Sequence, residues 1–340
     1  MVLDLLDRKI MYELDINARM SATAIGKKVR ASKETVNYRL NRLLKQGYIN
    51  GFYTVFDTAK LGFYYYKTFI KFHHTTPEIE KGIIEYLRVN PGCAYLGSCE
   101  GPYDALFLIM VRSAREFREF WQDFSGRFGE HILDKAIHTV LTTHRLNLKF
   151  LHRGESSMHS YYQDELGSYS VDAVDSQIMQ LLSKDARMSL VEIGRRVDID
   201  PQVVKYRIKK LEQDGIILSY TSSPNFSKLG LQFIQLNFSL KNLSTIPSII
   251  EFFDRTNTCL YALELLGRYD LTIEIHVESD RAFRRIMDSF KKDFVDQYHD
   301  YDAYSVYREH LVVWLPSSGA SGTIAAIAAI AASAAAPHTS

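Results

Sequence analysis

The chain has 340 residues, 46% of them hydrophobic and 24% charged, a balance that excludes global disorder and collagen-like scaffolds and gives a prior of two or more domains. Its 41 basic and 40 acidic residues leave a net charge of +1, so a polyanionic partner has to be met by a local patch. Cys93, Cys99 and Cys259 form no C-x-x-C pair, which excludes a disulfide framework or zinc ribbon and fits a reducing, cytoplasmic setting. The start MVLDLLDRKI lacks a signal-peptide pattern, and no charge-free apolar run of about eighteen residues precedes residue 317, so no membrane insertion is expected.

Residues 3–62 align with 171–230 at an offset of 168 without a gap, with 21 identities in 60 positions, too many for chance similarity of composition. The matches include the run Ala18, Arg19, Met20, Ser21 with Ala186, Arg187, Met188, Ser189. Further on the offset becomes 166, pairing Cys93 with Cys259, Tyr103 and Asp104 with Tyr269 and Asp270, and His144 with His310. The whole unit is duplicated.

In the first copy three helices are expected, capped by Asp4, Ser21 and Ser32, whose short oxygen-bearing side chains accept from exposed backbone N–H groups. Val36, Leu40 and Leu43 give the third helix one apolar stripe, and Gly47 ends it. An apolar strand follows at 49–56. Beyond Gly62 the period predicts strands at 65–73, 94–99, 105–111 and 133–144 and helices at 77–89 and 114–128, a βαββαβ order. The second copy repeats this. Ser189 and Asp200-Pro201 are helix starts, Val204, Ile208 and Leu211 form the stripe, and Gly215 is the stop. Strands are then expected at 217–220, 233–240, 259–265, 271–277 and 304–314, with helices at 246–254 and 280–294. The fold class is therefore α+β, two tandem units each with a winged helix-turn-helix and a ferredoxin-like βαββαβ module. Their bounds are 1–62 and 63–152, a linker 153–170, then 171–230 and 231–316, and an Ala-rich flexible tail 317–340 to which no function is assigned.

Both third helices concentrate positive charge. Lys33, Arg39, Arg42 and Lys45 stand against Glu34 in the first, and Lys205, Arg207, Lys209 and Lys210 against Glu212 in the second, a balance of +3 each. With the apolar stripe turned inward, these cations are placed to neutralise phosphates. Thr35, Asn37, Tyr38, Asn41, Gln202 and Tyr206 add polar groups on the same outward helices, placed to reach base edges in a major groove. Double-stranded DNA is the expected partner.

The motifs D-x-x-D-R-K-I at 4–10, A-R-M-S followed by A-I-G-K-K-V, V-x-Y-R-L-x-R-L-x-x-x-G-Y-I at 36–49, L-G, and G-P-Y-D at 101–104 resemble the Lrp/AsnC, or feast/famine, transcription regulators over residues 3–152 and again over 171–316. The resemblance implies DNA binding by the helix-turn-helix, sheet-to-sheet pairing of the second module, and an amino-acid or related small effector at assembly interfaces. Ordinary members carry one such unit; two units in one chain imply an intrachain pseudo-dimer held by high effective concentration. Outward positions differ between copies, Thr35 against Val203 and Asn37 against Lys205, which predicts unlike half-sites.

Gly101, Tyr103, Asp104 and their counterparts Gly267, Tyr269, Asp270 have two readings: a hairpin turn in which aspartate bonds nearby N–H groups, or, by resemblance, part of an effector site. ALFLIMV at 105–111 is apolar on both faces, so one face needs the second unit or another chain, whereas LTIEIHV at 271–277 has one polar face; a higher homo-oligomer is an expectation from this. The histidines lack metal-ligand spacing, and no metal or cofactor is expected. The competing reading is an enzyme, because sirohaem decarboxylases share this plan; His144, Arg145, Arg308 and His310 are then the nearest candidates for holding propionates.

Overall fold

A computed structural model describes residues 3–152, 158–162 and 166–315; the Ala-rich tail and residues 153–157 and 163–165 of the linker lie outside the described residues. The first unit runs α1 (Leu5–Ile16), α2 (Ala22–Val29), α3 (Lys33–Lys45), β1 (Ile49–Phe56), β2 (Tyr64–Phe72), α4 (Pro77–Arg88), β3 (Cys93–Glu100), β4 (Ala105–Val111), α5 (Ala114–Phe128) and β5 (Ile132–Leu146). A short strand β6 (Met158–Tyr162) forms inside the stretch expected to be linker. The second unit follows as α6 (Ala173–Lys184), α7 (Leu190–Val197), α8 (Pro201–Gln213), β7 (Ile217–Pro224), β8 (Gln232–Leu240), α9 (Ile246–Arg255), β9 (Cys259–Leu266), β10 (Leu271–Val277), α10 (Asp280–Phe294) and β11 (Tyr298–Val312).

Local chemistry sets the heads. Asp4, Ser21, Ser32, Ser189 and Asp200 each accept a backbone N–H at a helix start, so one orphan donor per helix is satisfied. In the turn between the second and third helices the chain folds back so tightly that a Cβ on Gly26 would lie 2.5 Å from the Ala31 carbonyl oxygen, and one on Gly194 2.6 Å from that of Ile199. Only glycine fits there. Gly47 and Gly215, at φ +68° and +66°, end the third helices in the left-handed region.

The strand after each third helix pairs with its counterpart in the other unit rather than with a strand of its own. β1 and β7 form a two-stranded antiparallel ribbon, with Phe52 opposite Ser222 and Thr54 opposite Tyr220. The remaining strands follow the order β2-β4-β3-β11-β8-β10-β9-β5-β6, and a β2–β5 pairing closes the ring, leaving β6 on the outside of β5. Eight strands thus make a barrel from two four-stranded modules, joined at β3–β11 and β5–β9. Closure removes the unpaired edges each module would expose alone.

Alternation assigns the two faces of the wall. Ile70, Phe107 and Ile109 of the wall pack against Phe124 of α5 under α4 and α5, and Leu236, Phe238 and Ile273 against Phe290 of α10 under α9 and α10. The opposite face of β4 (Leu106, Met110) joins Phe69, Tyr103, Tyr269 and Tyr304 in one core that runs from the barrel interior into both heads. The second unit therefore covers the apolar face of the first. The polar face of β10 is no solvent face: Thr272 and His276 are buried. Thr272 Oγ1 donates to Asn237 Oδ1 (2.6 Å), Asn237 Nδ2 to the Tyr304 hydroxyl (3.1 Å), and that hydroxyl to Gln235 Oε1 (2.8 Å). Such a chain satisfies the buried polar groups that a barrel interior would otherwise strand.

Candidate nucleic-acid interface

The third helices present their expected outward faces. Val36, Leu40 and Leu43 are buried, as are Val204, Ile208 and Leu211. Lys33, Asn37, Tyr38 and Lys45 of α3 and Gln202, Lys205, Tyr206, Lys209 and Lys210 of α8 are exposed, and Thr35 is half-buried beside the Ser32 cap. Tyr38 and Tyr206 are 67% and 69% exposed, a costly placement for a ring in a protein with no partner on that face.

The arginines differ from expectation. Placement to neutralise phosphates calls for outward guanidinium groups, yet the side chains of Arg39 and Arg42 are only 20% and 21% exposed. Arg39 bonds Asp4 and Asp7, and Arg42 Nη2 reaches both oxygens of the buried Asp7 at 2.6 Å. In the second head Arg207 Nη1 likewise bonds Asp172 (2.6 Å) and Asp175 (2.9 Å), at 27% exposure. The reason is the repeated D-x-x-D motif, whose carboxylates at the start of the first helix lie within hydrogen-bond reach of arginines on the third. The Arg39 guanidinium holds the Asp4 carboxyl down to about 2. These arginines fasten the first helix to the third, and the cations left outward are Lys33 and Lys45 on one head and Lys205, Lys209 and Lys210 on the other, none of which is ion-paired to a described residue. The second head carries the stronger free charge.

The residues that set the distance between heads are ones sequence reasoning recorded only as identities. Arg19 Nη1 donates to the carbonyls of Ala186 (2.6 Å) and Met188 (3.2 Å), and Arg187 Nη1 to those of Ala18 and Met20 (3.3 Å for the latter). The A-R-M-S run recurs because each arginine grips the same run in the other head. Lys60 Nζ bonds the Asp214 carbonyl (3.0 Å) and Lys228 Nζ the Gln46 carbonyl (2.5 Å), so each half caps the end of the other half's third helix with a cation, where the helix dipole favours one. Reciprocity across the repeat was the available signal.

Of the two readings of the Gly-Tyr-Asp loops, the turn is what the residues build. Asp104 Oδ2 accepts from the Phe72 N–H and Asp270 Oδ2 from that of Leu240, both at 2.7 Å, each tying the loop to the end of a neighbouring strand. Tyr103 and Tyr269 are buried, hydroxyl to hydroxyl at 3.2 Å. Gly101, at φ +143°, leaves room where a Cβ would stand 2.8 Å from that of Tyr304, and a Cβ on Gly267 would meet the His138 ring at 2.6 Å. These six residues are occupied in closing the barrel, the role that the turn reading gives them. The matched histidines are also satisfied: His144 lies between Ser160 and Glu264, both at 2.8 Å, and His310 lies 2.8 Å from Ser98.

Two reading heads held at fixed spacing by a shared ribbon, over a barrel of two αβ modules, define a helix-turn-helix DNA-binding protein. The family described as winged helix-turn-helix DNA-binding matches residues 3–50 and 171–217. The regulator LrpB of Bacillus subtilis is 29% identical over 139 residues, 41% of this chain and 90% of LrpB. An uncharacterised HTH-type transcriptional regulator of Pyrococcus horikoshii is 32% identical over 106 residues, 30% of this chain and 70% of its own. The chain belongs to the Lrp/AsnC family of transcription regulators, with the unit duplicated in tandem. Its fold over the whole length resembles that of the sirohaem decarboxylase NirDL, at a TM-score of 0.66 and 10% identity across 97% of this chain and 99% of that one.

Proposed function

We propose that the protein is a cytoplasmic, sequence-specific DNA-binding transcription regulator that works as an intrachain pseudo-dimer, its two heads inserting α3 and α8 into one duplex. The observation that carries this is the reciprocal grip of Arg19 and Arg187, together with the cross-caps of Lys60 and Lys228, which fixes two exposed reading helices relative to each other. Domains divide at the bounds given above, with Lys33, Thr35, Asn37, Tyr38, Gln202, Lys205, Tyr206, Lys209 and Lys210 meeting DNA. Arg39, Arg42 and Arg207 are positioning residues, and a phosphate recruits them only by competing with the first-helix carboxylates. Since the heads differ at most outward positions, the operator is asymmetric.

Phosphate neutralisation sets the test. The slope of log affinity against log salt shallows by about 0.9 for each phosphate contact removed. Lys205→Ala, Lys209→Ala and Lys210→Ala combined should therefore flatten it more than Lys33→Ala with Lys45→Ala. Affinity for selected duplexes that is flat in salt, or a selected site that is a perfect palindrome, refutes the reading.

The enzyme reading keeps one supporting observation. Arg145, Arg308 and His310 line a cavity of about 700 Å³ between the ribbon and the barrel. Two facts oppose an anionic tetrapyrrole there: Arg145 is consumed by Asp15, and the carboxylates of Glu274 and Glu309 also line the wall.

A further inference from the structure

That cavity lies under the β1–β7 ribbon, with Tyr53, Ser222 and Phe226 from the head side and Tyr95, Glu274 and Glu309 from the barrel wall. Its volume falls in the range of sites that enclose small organic ligands. Trp314, also in the lining, stacks on Tyr53 with ring centroids 4.4 Å apart and planes within 5°, so one flank is a flat aromatic surface. On another flank the buried His276 stacks on Phe226 (3.7 Å), and its Nδ1 has no hydrogen-bond partner among the described residues. This is an aromatic box holding two carboxylates.

We propose that this cavity binds a small cationic amine with an aromatic or other apolar body, its ammonium meeting Glu309 and its body lying among the Tyr53, Trp314 and Phe226 rings. The charge of the lining decides the class. Glu274 is balanced by the buried Lys67, 3.6 Å away, and Arg145 by Asp15. Arg308 and Glu309 are adjacent on the same strand, both exposed and both in the lining, so the ammonium has to sit on the Glu309 side of the wall. Glu309 keeps accessible surface, yet its carboxyl is pushed up to about 7, by desolvation within the protein's envelope first and by the Glu274 charge second. An ammonium ion beside it offsets both costs, and tyrosine and tryptophan faces attract the same charge. A carboxylate placed at the same point would instead set a second negative charge beside Glu309.

Trp121 and Trp314 are the two tryptophans of the chain, so Trp121→Phe leaves Trp314 as a single fluorophore in the cavity wall. In that background, at about pH 8, where Glu309 is ionised and the amine still protonated, phenethylamine should quench or shift the emission saturably. Its isosteres 2-phenylethanol and 3-phenylpropionate should bind about tenfold more weakly or worse, the difference a charge-assisted hydrogen bond makes. Glu309→Gln should erase the preference for the amine and leave 2-phenylethanol unchanged, which separates loss of charge from misfolding. Equal affinity for amine and alcohol overturns the proposal. So does preference for 3-phenylpropionate, or tight binding of iron-uroporphyrin that strengthens in Glu309→Gln, the outcome an anionic occupant would give. No DNA is present in the assay, so its failure leaves the regulator reading untouched, and the reverse holds too.

Discussion

Arg145 is the residue whose loss should damage the molecule most. Its guanidinium is buried on β5, and Nη2 bonds both Asp15 at the end of α1 and Thr221 Oγ1 (2.7 Å) on β7, so one side chain joins barrel, first head and second head. The matching position in the other half is Leu311, which shows that a leucine suits this strand, so Arg145→Leu removes charge without adding bulk. Asp15 would keep the Leu148 N–H (2.9 Å) and the Thr221 hydroxyl (2.7 Å), but its carboxylate would be buried with no cation. Breaking such a pair from one side costs about 3–5 kcal/mol, far more than the pair itself contributes. Urea unfolding followed by far-UV circular dichroism should show that loss in the first transition. The double variant Arg145→Leu with Asp15→Asn should recover all but about 1–2 kcal/mol, because the stranded charge is gone and only polar groups remain to be satisfied. A single variant within about 1 kcal/mol of the parent, or a double variant no better than the single, refutes the account.

Arg19→Ala with Arg187→Ala should leave the barrel folded and the affinity for a single half-site unchanged, while lowering affinity for the full operator about tenfold; fluorescence anisotropy on both duplexes separates these, and equal losses on both would contradict a spacing role. Burial lowers the His138 ring to about 4 and the His276 ring to about 3. Both are neutral in the fold and gain a proton on unfolding below about pH 6.5, so stability is full above that pH and falls as pH drops toward the folded values, by ~1 kcal/mol per pH unit for each ring. His276→Gln should shallow the measured fall between about pH 6 and 4; an unchanged slope would mean that the ring is not the group being titrated.

The duplication, the caps, the helix stripes and nearly every strand were legible in the sequence because they rest on local chemistry: an oxygen at a helix start, a glycine where the chain turns back, an apolar period of 3.6 or 2. The repeat sharpened each signal by showing it twice. Strands 271–277 and helix 280–294 needed no adjustment at all. One departure and one open choice share a cause. Along the chain Arg39 and Arg42 of α3 read as free cations, because the carboxylates that bind them, Asp4 and Asp7, lie some thirty positions earlier and meet them only when the first helix packs on the third. The Gly-Tyr-Asp loops could be a turn or a site until the strand ends were brought beside Asp104 and Asp270.

What tertiary structure alone decided is partnership across the repeat. An identity such as Arg19 with Arg187 states that both halves need the residue, not that each serves the other, and the pairing of β1 with β7 is written in neither strand. Period two says that β10 has a polar face; only barrel closure turns that face from water into an interior where Thr272, Glu274 and His276 need partners. The cavity has the same origin, since its lining joins residues from Asn50 to Trp314. Local propensity acts over a few residues and is read along the chain, whereas desolvation and charge pairing act through space and depend on which distant segments the fold brings together.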